Sequence, residues 1–139
     1  MSSFLPFCYR AIVKKMDWKS GQLVAQGAIH DGDSGWFFLD CGMHGFLNAN
    51  CRLFGVNAYE LNDTDPAKRQ KAVAGRTWLR EKIEGKNVFV RSKGLEKYGR
   101  PLLIVWMSEE DFGNGGKSIN KELLDAELAV PFMGDVTAS

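Results

Sequence analysis

Soft metal-ligating side chains are scarce in this chain of 139 residues, which has three cysteines and two histidines. Cys8, Cys41 and Cys51 are an odd set without close pairing, so they do not read as a disulfide framework. Cys41 and His44 have the spacing of half a zinc site, but Cys51 and His30 stand alone and the second ligand pair is missing. Buried thiols are the expectation. The sequence also lacks an apolar run long enough to cross a bilayer. Met1 to Arg10 lacks the charged start, long apolar stretch and small-residue cleavage site of a secretory signal. A cytoplasmic protein with no membrane partner is expected. No repeat or low-complexity linker divides the sequence, and its length fits one domain over 1–139.

Charge of one sign is missing overall, yet the net value of +1 conceals an asymmetry. Between Ala67 and Arg100 stand eleven basic residues against Glu81, Glu84 and Glu96, a local excess of +8. A positive central segment suits a polyanionic partner. A solvated helix face beside a basic strand accounts for the same residues.

Short apolar runs dominate the first half. Tyr9 to Met16 and Gln22 to Ile29 read as strands parted by the turn-like Asp17 to Gly21, the first of them an extra N-terminal strand at about 7–16. Gly35 to Asp40 and Asn50 to Val56 follow, with Gly42 and Gly45 marking a hairpin between them. Asp65 is a good N-cap, Pro66 suits the first helical position, and Ala72, Gly75, Leu79 and Ile83 recur at helical spacing. Gly85 suits the stop. Asn87 to Arg91 and Leu102 to Met107 read as strands and Gly113 to Gly116 as a flexible loop. Ser118 caps a short last helix over Ile119, Leu123, Leu124 and Leu128, and the tail 134–139 is expected to be loose. Several short strands with a helix inserted late is the order of an OB-type barrel, mainly β with attached helices.

Three segments carry polar chemistry. Asp31-Gly32-Asp33-Ser34 sets two carboxylates around a glycine, a pattern that holds a hard cation or simply makes a tight turn. An EF-hand is excluded, because its twelfth position falls on Gly42 instead of a glutamate. In Arg52-Leu53-Phe54-Gly55-Val56-Asn57-Ala58-Tyr59-Glu60, Arg52 faces opposite to Leu53. Asn57 and Glu60 then emerge where the strand ends. Lys97-Tyr98-Gly99-Arg100 precedes a strand and reads alone as a hairpin turn with an exposed arginine.

Taken together, DGDS (31–34), RLFGVNAYE (52–60), WLREKIEGKNVFV (78–90), KYGR (97–100) and INKELLDAELAVPF (119–132) resemble the staphylococcal nuclease family in order and spacing. The compact form looks most like its short phage and bacterial members. The resemblance implies a five-stranded OB barrel with a central and a short C-terminal helix. It implies an endonuclease that hydrolyses DNA and RNA phosphodiesters with calcium, expected as a monomer in a bacterial or phage-infected cytoplasm. By position, Asp33 is a direct calcium ligand and Asp31 stands behind it. Asn57 is the second side-chain ligand and the Ala58 carbonyl a backbone ligand. Glu60 is the general base, and Arg52 and Arg100 hold the phosphate. Lys97 and Tyr98 border the substrate, Tyr98 either stacking on a base or packing on the barrel.

The chemistry fits an anionic ester that gains charge on attack. Guanidinium groups bind two oxygens at once and keep their charge, while a carboxylate within reach of water takes its proton.

The pattern is broken at four places, the mildest being Ser34 for threonine. Asn57 replaces the usual aspartate, which removes a negative charge and predicts weaker calcium binding. Tyr59 replaces a proline that would fix the backbone before Glu60. Glu127 replaces a helix-ending glycine, a change that costs about 1 kcal/mol if the position needs positive φ. The alternative to a nuclease is a catalytically weak OB-fold module that binds nucleic acid. A third reading is a protein-interaction domain using apolar surfaces at Phe46 and Trp106.

Overall fold

The computed structural model describes residues 10–19, 22–132 and 134. Cys8, the start of the expected N-terminal strand, the end of the turn at 17–21, and all of the expected loose tail but Gly134 lie outside those residues. Five strands close a barrel: β1 (Arg10–Ile12), β4 (Ser34–Asp40), β5 (Phe46–Leu53), β7 (Asn87–Leu95) and β8 (Pro101–Trp106). Around the barrel they run in the order β1-β4-β5-β8-β7. All neighbours run antiparallel except β5 and β8, whose parallel pairing sets Arg52 beside Leu102. This mixed closure agrees with the OB-type barrel expected from the order of the elements.

Alternation builds the core. Phe37 and Leu39 of β4 point inward, while Trp36, Phe38 and Asp40 point outward. Val88 and Val90 of β7 share the buried cluster with Leu103 and Val105 of the neighbouring β8, where Val90 pairs with Val105. Cys51 is buried in this core and Cys41 is half-buried at its edge.

The N-terminal strand is not continuous. Strand β1 ends at Ile12, paired with Phe38, and the chain then leaves as a hairpin of β2 (Lys15–Lys19) and β3 (Gln22–Gln26). It returns at Ala28, whose carbonyl accepts from Trp36 N at 3.1 Å, and at Ile29, which bridges Gly35. The first barrel strand is therefore split by an inserted hairpin, so the single strands expected over 7–16 and 22–29 each break. Asn48 fixes the departure: its amide donates to the carbonyls of Lys14 and Phe37, and its Oδ1 accepts from Met16 N.

Helix α1 (Pro66–Ile83) starts as expected, with the Asp65 carboxylate accepting from Ala67 N at 3.0 Å. Its buried residues are Ala72, Gly75, Leu79 and Ile83. The turn at Gly85, φ 76°, ends it and lets Gly85 N donate to Val13 O. The Glu84 carboxylate accepts from Ala28 N and Ile29 N, and Arg80 Nε donates to Ile29 O. The end of α1 thus holds the point where the interrupted strand re-enters the barrel.

The expected loop at 113–116 instead closes a helix, α2 (Glu109–Asn114). Ser108 caps it and Gly115 ends it with φ 69°. Its Phe112 packs edge-on against Trp106, which is only 6% exposed, so Trp106 contributes no outer surface for a partner; Phe46 does remain exposed. Helix α3 (Ile119–Asp125) begins at the expected Ser118 cap but stops short of Leu128, because Glu127 turns left-handed at φ 58°. Two short strands, β6 (Val56–Ala58) and β9 (Ala129–Pro131), then pair antiparallel outside the barrel.

Candidate functional site

The Asp31–Ser34 turn is built around one carboxylate oxygen. Asp31 Oδ1 accepts from Asp33 N at 3.1 Å and from the Ser34 hydroxyl at 2.8 Å. Gly32 is required by close approach: a Cβ there would lie 3.1 Å from Ala58 Cβ and 3.5 Å from the Gly75 backbone. The turn is therefore wedged between β6 and α1. Asp33 points onto β6, where its Oδ2 accepts from Ala58 N at 2.9 Å, and its carbonyl accepts from Leu53 N.

Burial raises the Asp33 carboxyl, and the Asp31 charge beside it adds to the effect. The Ala58 N–H and the Arg52 charge oppose them, and the balance pushes Asp33 up to about 6. Two acids are thus held close together in a cleft of about 190 Å³ lined by Asp31, Asp33, Ala58, Tyr59, Glu60, Leu61 and Asn62. Oxygen donors and a destabilised carboxylate suit a hard cation, so this cleft fits calcium in chemistry. Among the described residues, no three acidic, histidine or cysteine side chains already converge as a ligand shell. A cation here would therefore complete its coordination with water. Asn57 is exposed on β6 and is absent from the cleft wall, whereas its neighbour Ala58 forms part of it.

The arginines gather next to this cleft. Arg52 precedes Leu53 at the end of β5 and is paired in register with Ser34. It is 7% exposed, and its Nη2 donates to Val56 O at 2.8 Å. Arg100 stands immediately before β8. Its Nε and Nη2 fork onto the two oxygens of Glu96, both at 3.1 Å. That hydrogen-bonded pair raises Arg100 and lowers Glu96 from their ordinary values, and Asp33 and Asp31 add to the rise at Arg100. A second cleft, of about 390 Å³, is lined by Arg52, Arg100, Lys97, Tyr98, Glu96, Leu102 and Phe132.

Arg52 and Arg100 thus share one cleft with Lys97 and Tyr98, while Asp31, Asp33, Ala58 and Glu60 share the other. Asp33 joins the two, since it is felt by both arginines. Tyr98 is exposed rather than packed on the barrel. Tyr59, in place of a proline, has Lys71 Nζ 5.3 Å over its ring, which ties the Glu60 loop to α1.

Two residues escaped the sequence reading. Glu96 carries a signal, the four-residue separation from Arg100 across a Tyr-Gly turn. Phe132, whose ring lies 4.5 Å from the Arg52 guanidinium carbon, carries none, because only the β6–β9 ladder brings it there.

Residues 50–136 match the family model described as staphylococcal nuclease homologue. The matched stretch includes both arginines, Glu60, Asn57, Ala58, Lys97 and Tyr98, and begins after Asp31 and Asp33. A search of curated proteins finds no match.

Proposed function

The chain belongs to the staphylococcal nuclease homologue family, and from that premise we propose that it is a calcium-dependent endonuclease acting on DNA and RNA as a single-domain monomer. Membership gives a function of nuclease type or in nucleic-acid binding. The observation that carries the finer reading is the sharing of one cleft by Arg52 and Arg100, with Asp33 linking it to a cleft of acids.

In this reading the scissile phosphate sits between the two guanidinium groups. Arg52 is oriented by the Val56 carbonyl and Arg100 by Glu96. The Arg100 fork engages Nε and Nη2, which leaves the Nη1 side for a phosphate oxygen. Glu60, exposed at the rim of the acid cleft, takes the proton of the attacking water. Asp33 and the Ala58 carbonyl would hold calcium directly with Asp31 behind them, while Asn57, the second side-chain ligand by the family pattern, lies exposed off the cleft wall. When bound, the cation offsets charge on the phosphoryl oxygen and helps to orient water.

The test is cleavage of single- and double-stranded DNA with calcium, with EDTA, and by Glu60→Ala. Wild-type protein is expected to cut only with calcium, and Glu60→Ala to lose roughly 100- to 1,000-fold. Absence of metal-dependent cutting would exclude the enzyme reading. Retained oligonucleotide binding would then select a module that binds without cutting, a reading favoured by the exposure of Asn57 away from the cleft wall. Cutting by Glu60→Ala at the wild-type rate would remove the base assignment alone.

A further inference from the structure

A large aromatic ring outside the core usually covers apolar surface, but Phe132 covers a cation. It is 37% exposed, and it belongs neither to the buried core nor to the half-buried residues packed against that core. Its close partner is the nearly buried guanidinium of Arg52, at 4.5 Å from the ring centroid. We propose that Phe132 is a positioning residue for Arg52, fixing the plane in which that guanidinium meets the phosphate. This inference rests on the assignment of Arg52 as a phosphate ligand given above.

Two of the contacts that hold the group come from the described residues around β6 and β9. The Val56 carbonyl accepts a hydrogen bond from Nη2 at 2.8 Å and fixes one edge, while the guanidinium carbon stands over the Phe132 ring, a contact that limits how the group can tilt. Both come from one small unit. Val56 is paired with Pro131, and Phe132 N donates to Gly55 O at 2.9 Å, so the ring and the carbonyl are carried on the same ladder. The ring also lines the cleft that holds Arg100, which places the stack at the substrate surface. An arginine stripped of most of its water keeps its charge, and an aromatic face is among the few apolar surfaces that attract it.

Leucine at 132 keeps apolar bulk and removes the π face, while tyrosine and tryptophan keep it. Phe132→Leu is expected to lower kcat about tenfold with KM changed less than twofold, because a mis-tilted guanidinium loses contacts made in the transition state. Tm is expected to stay within about 2 °C of wild type, and Phe132→Tyr and Phe132→Trp to restore kcat to within twofold. In the Arg52→Lys background, Phe132→Leu is expected to cost nothing further, because an ammonium has no plane to orient. An unchanged kcat in Phe132→Leu, an equal loss in both backgrounds, or a loss shared by the tyrosine and tryptophan variants would overturn the assignment.

If the wild-type protein does not cut, the nuclease reading fails separately. The same cycle is then read in affinity for a single-stranded oligodeoxynucleotide in EDTA. Weakening by Phe132→Leu that vanishes in the Arg52→Lys background supports the role, and weakening that persists there, or no weakening, refutes it.

Discussion

Asp33 is held where its charge is least welcome, half-buried beside Asp31, and this has a consequence for stability that runs opposite to its proposed use. Its folded pKa, about 6, lies above the ordinary 3.8. A raised folded value means that the native state binds the proton more tightly, so the contribution to stability is complete below about 3.8 and is lost as pH rises through about 6. Without metal, wild-type protein is expected to lose more stability between pH 4 and pH 7 than Asp33→Asn, which has no proton to lose there. At pH 7 the asparagine variant is expected to be the more stable of the two, yet to lack the stabilisation that calcium would give at the proposed site. Thermal melts of both proteins at the two pH values, with EDTA and with calcium, check this; parallel pH profiles would contradict it. The acids and both arginines were legible because each stands in a short local motif. Glu96 and Phe132 were not read, because what matters in them is the partner. Glu96 needs the turn to close before its fork onto Arg100 exists, and Phe132 meets Arg52 only after a three-residue ladder forms between distant segments.

At the level of elements, local signals with a cap at one end and a glycine at the other were reliable, as in α1 between Asp65 and Gly85. Helix α2 was missed although Ser108 and three following acids mark its start, since the glycines at 113, 115 and 116 read as loop. The split of the first barrel strand was illegible for another reason: apolar alternation runs through the break, and the Asn48 and Glu84 bonds that enforce it come from elsewhere in the chain. Glu127 is a case where the sequence pattern and the backbone agree. The departure from glycine was visible, and the residue does sit at φ 58°. Left-handed backbone costs a residue with a Cβ roughly 1–2 kcal/mol. Glu127 is exposed, so Glu127→Gly is expected to stabilise by about 1 kcal/mol, less some gain in freedom of the unfolded chain. It should leave cleavage unchanged, because the side chain lines neither cleft. Urea unfolding with an unchanged slope and a higher midpoint checks this; a lower midpoint would mean that the Glu127 side chain supplies a compensating contact.

Over the whole molecule, the question is which part of the +8 segment meets the substrate. The cations divide by position: Lys68, Arg69, Lys71 and Arg80 lie exposed on α1, while Arg91, Lys93 and Lys97 follow β7 toward the clefts. Lys97 lines the arginine cleft, and Lys93 lies 5.4 Å over the ring of Phe54, in the turn that follows Arg52. These two extend the positive surface from Arg52 and Arg100. Lys117 and Lys121 line neither cleft and are both ion-paired to Asp125. Each phosphate neutralised on a single strand contributes about −0.7 to the slope of log affinity against log salt. Removing Lys93 and Lys97 together by glutamine is therefore expected to reduce the slope for single-stranded DNA, measured in EDTA, by about 1.4. The same change at Lys117 and Lys121 alters net charge equally and is expected to leave the slope as it was. If both pairs shifted the slope alike, the substrate would be responding to the summed field of the protein and not to a track of phosphate contacts. If neither did, the phosphate contacts would lie with the exposed cations of α1.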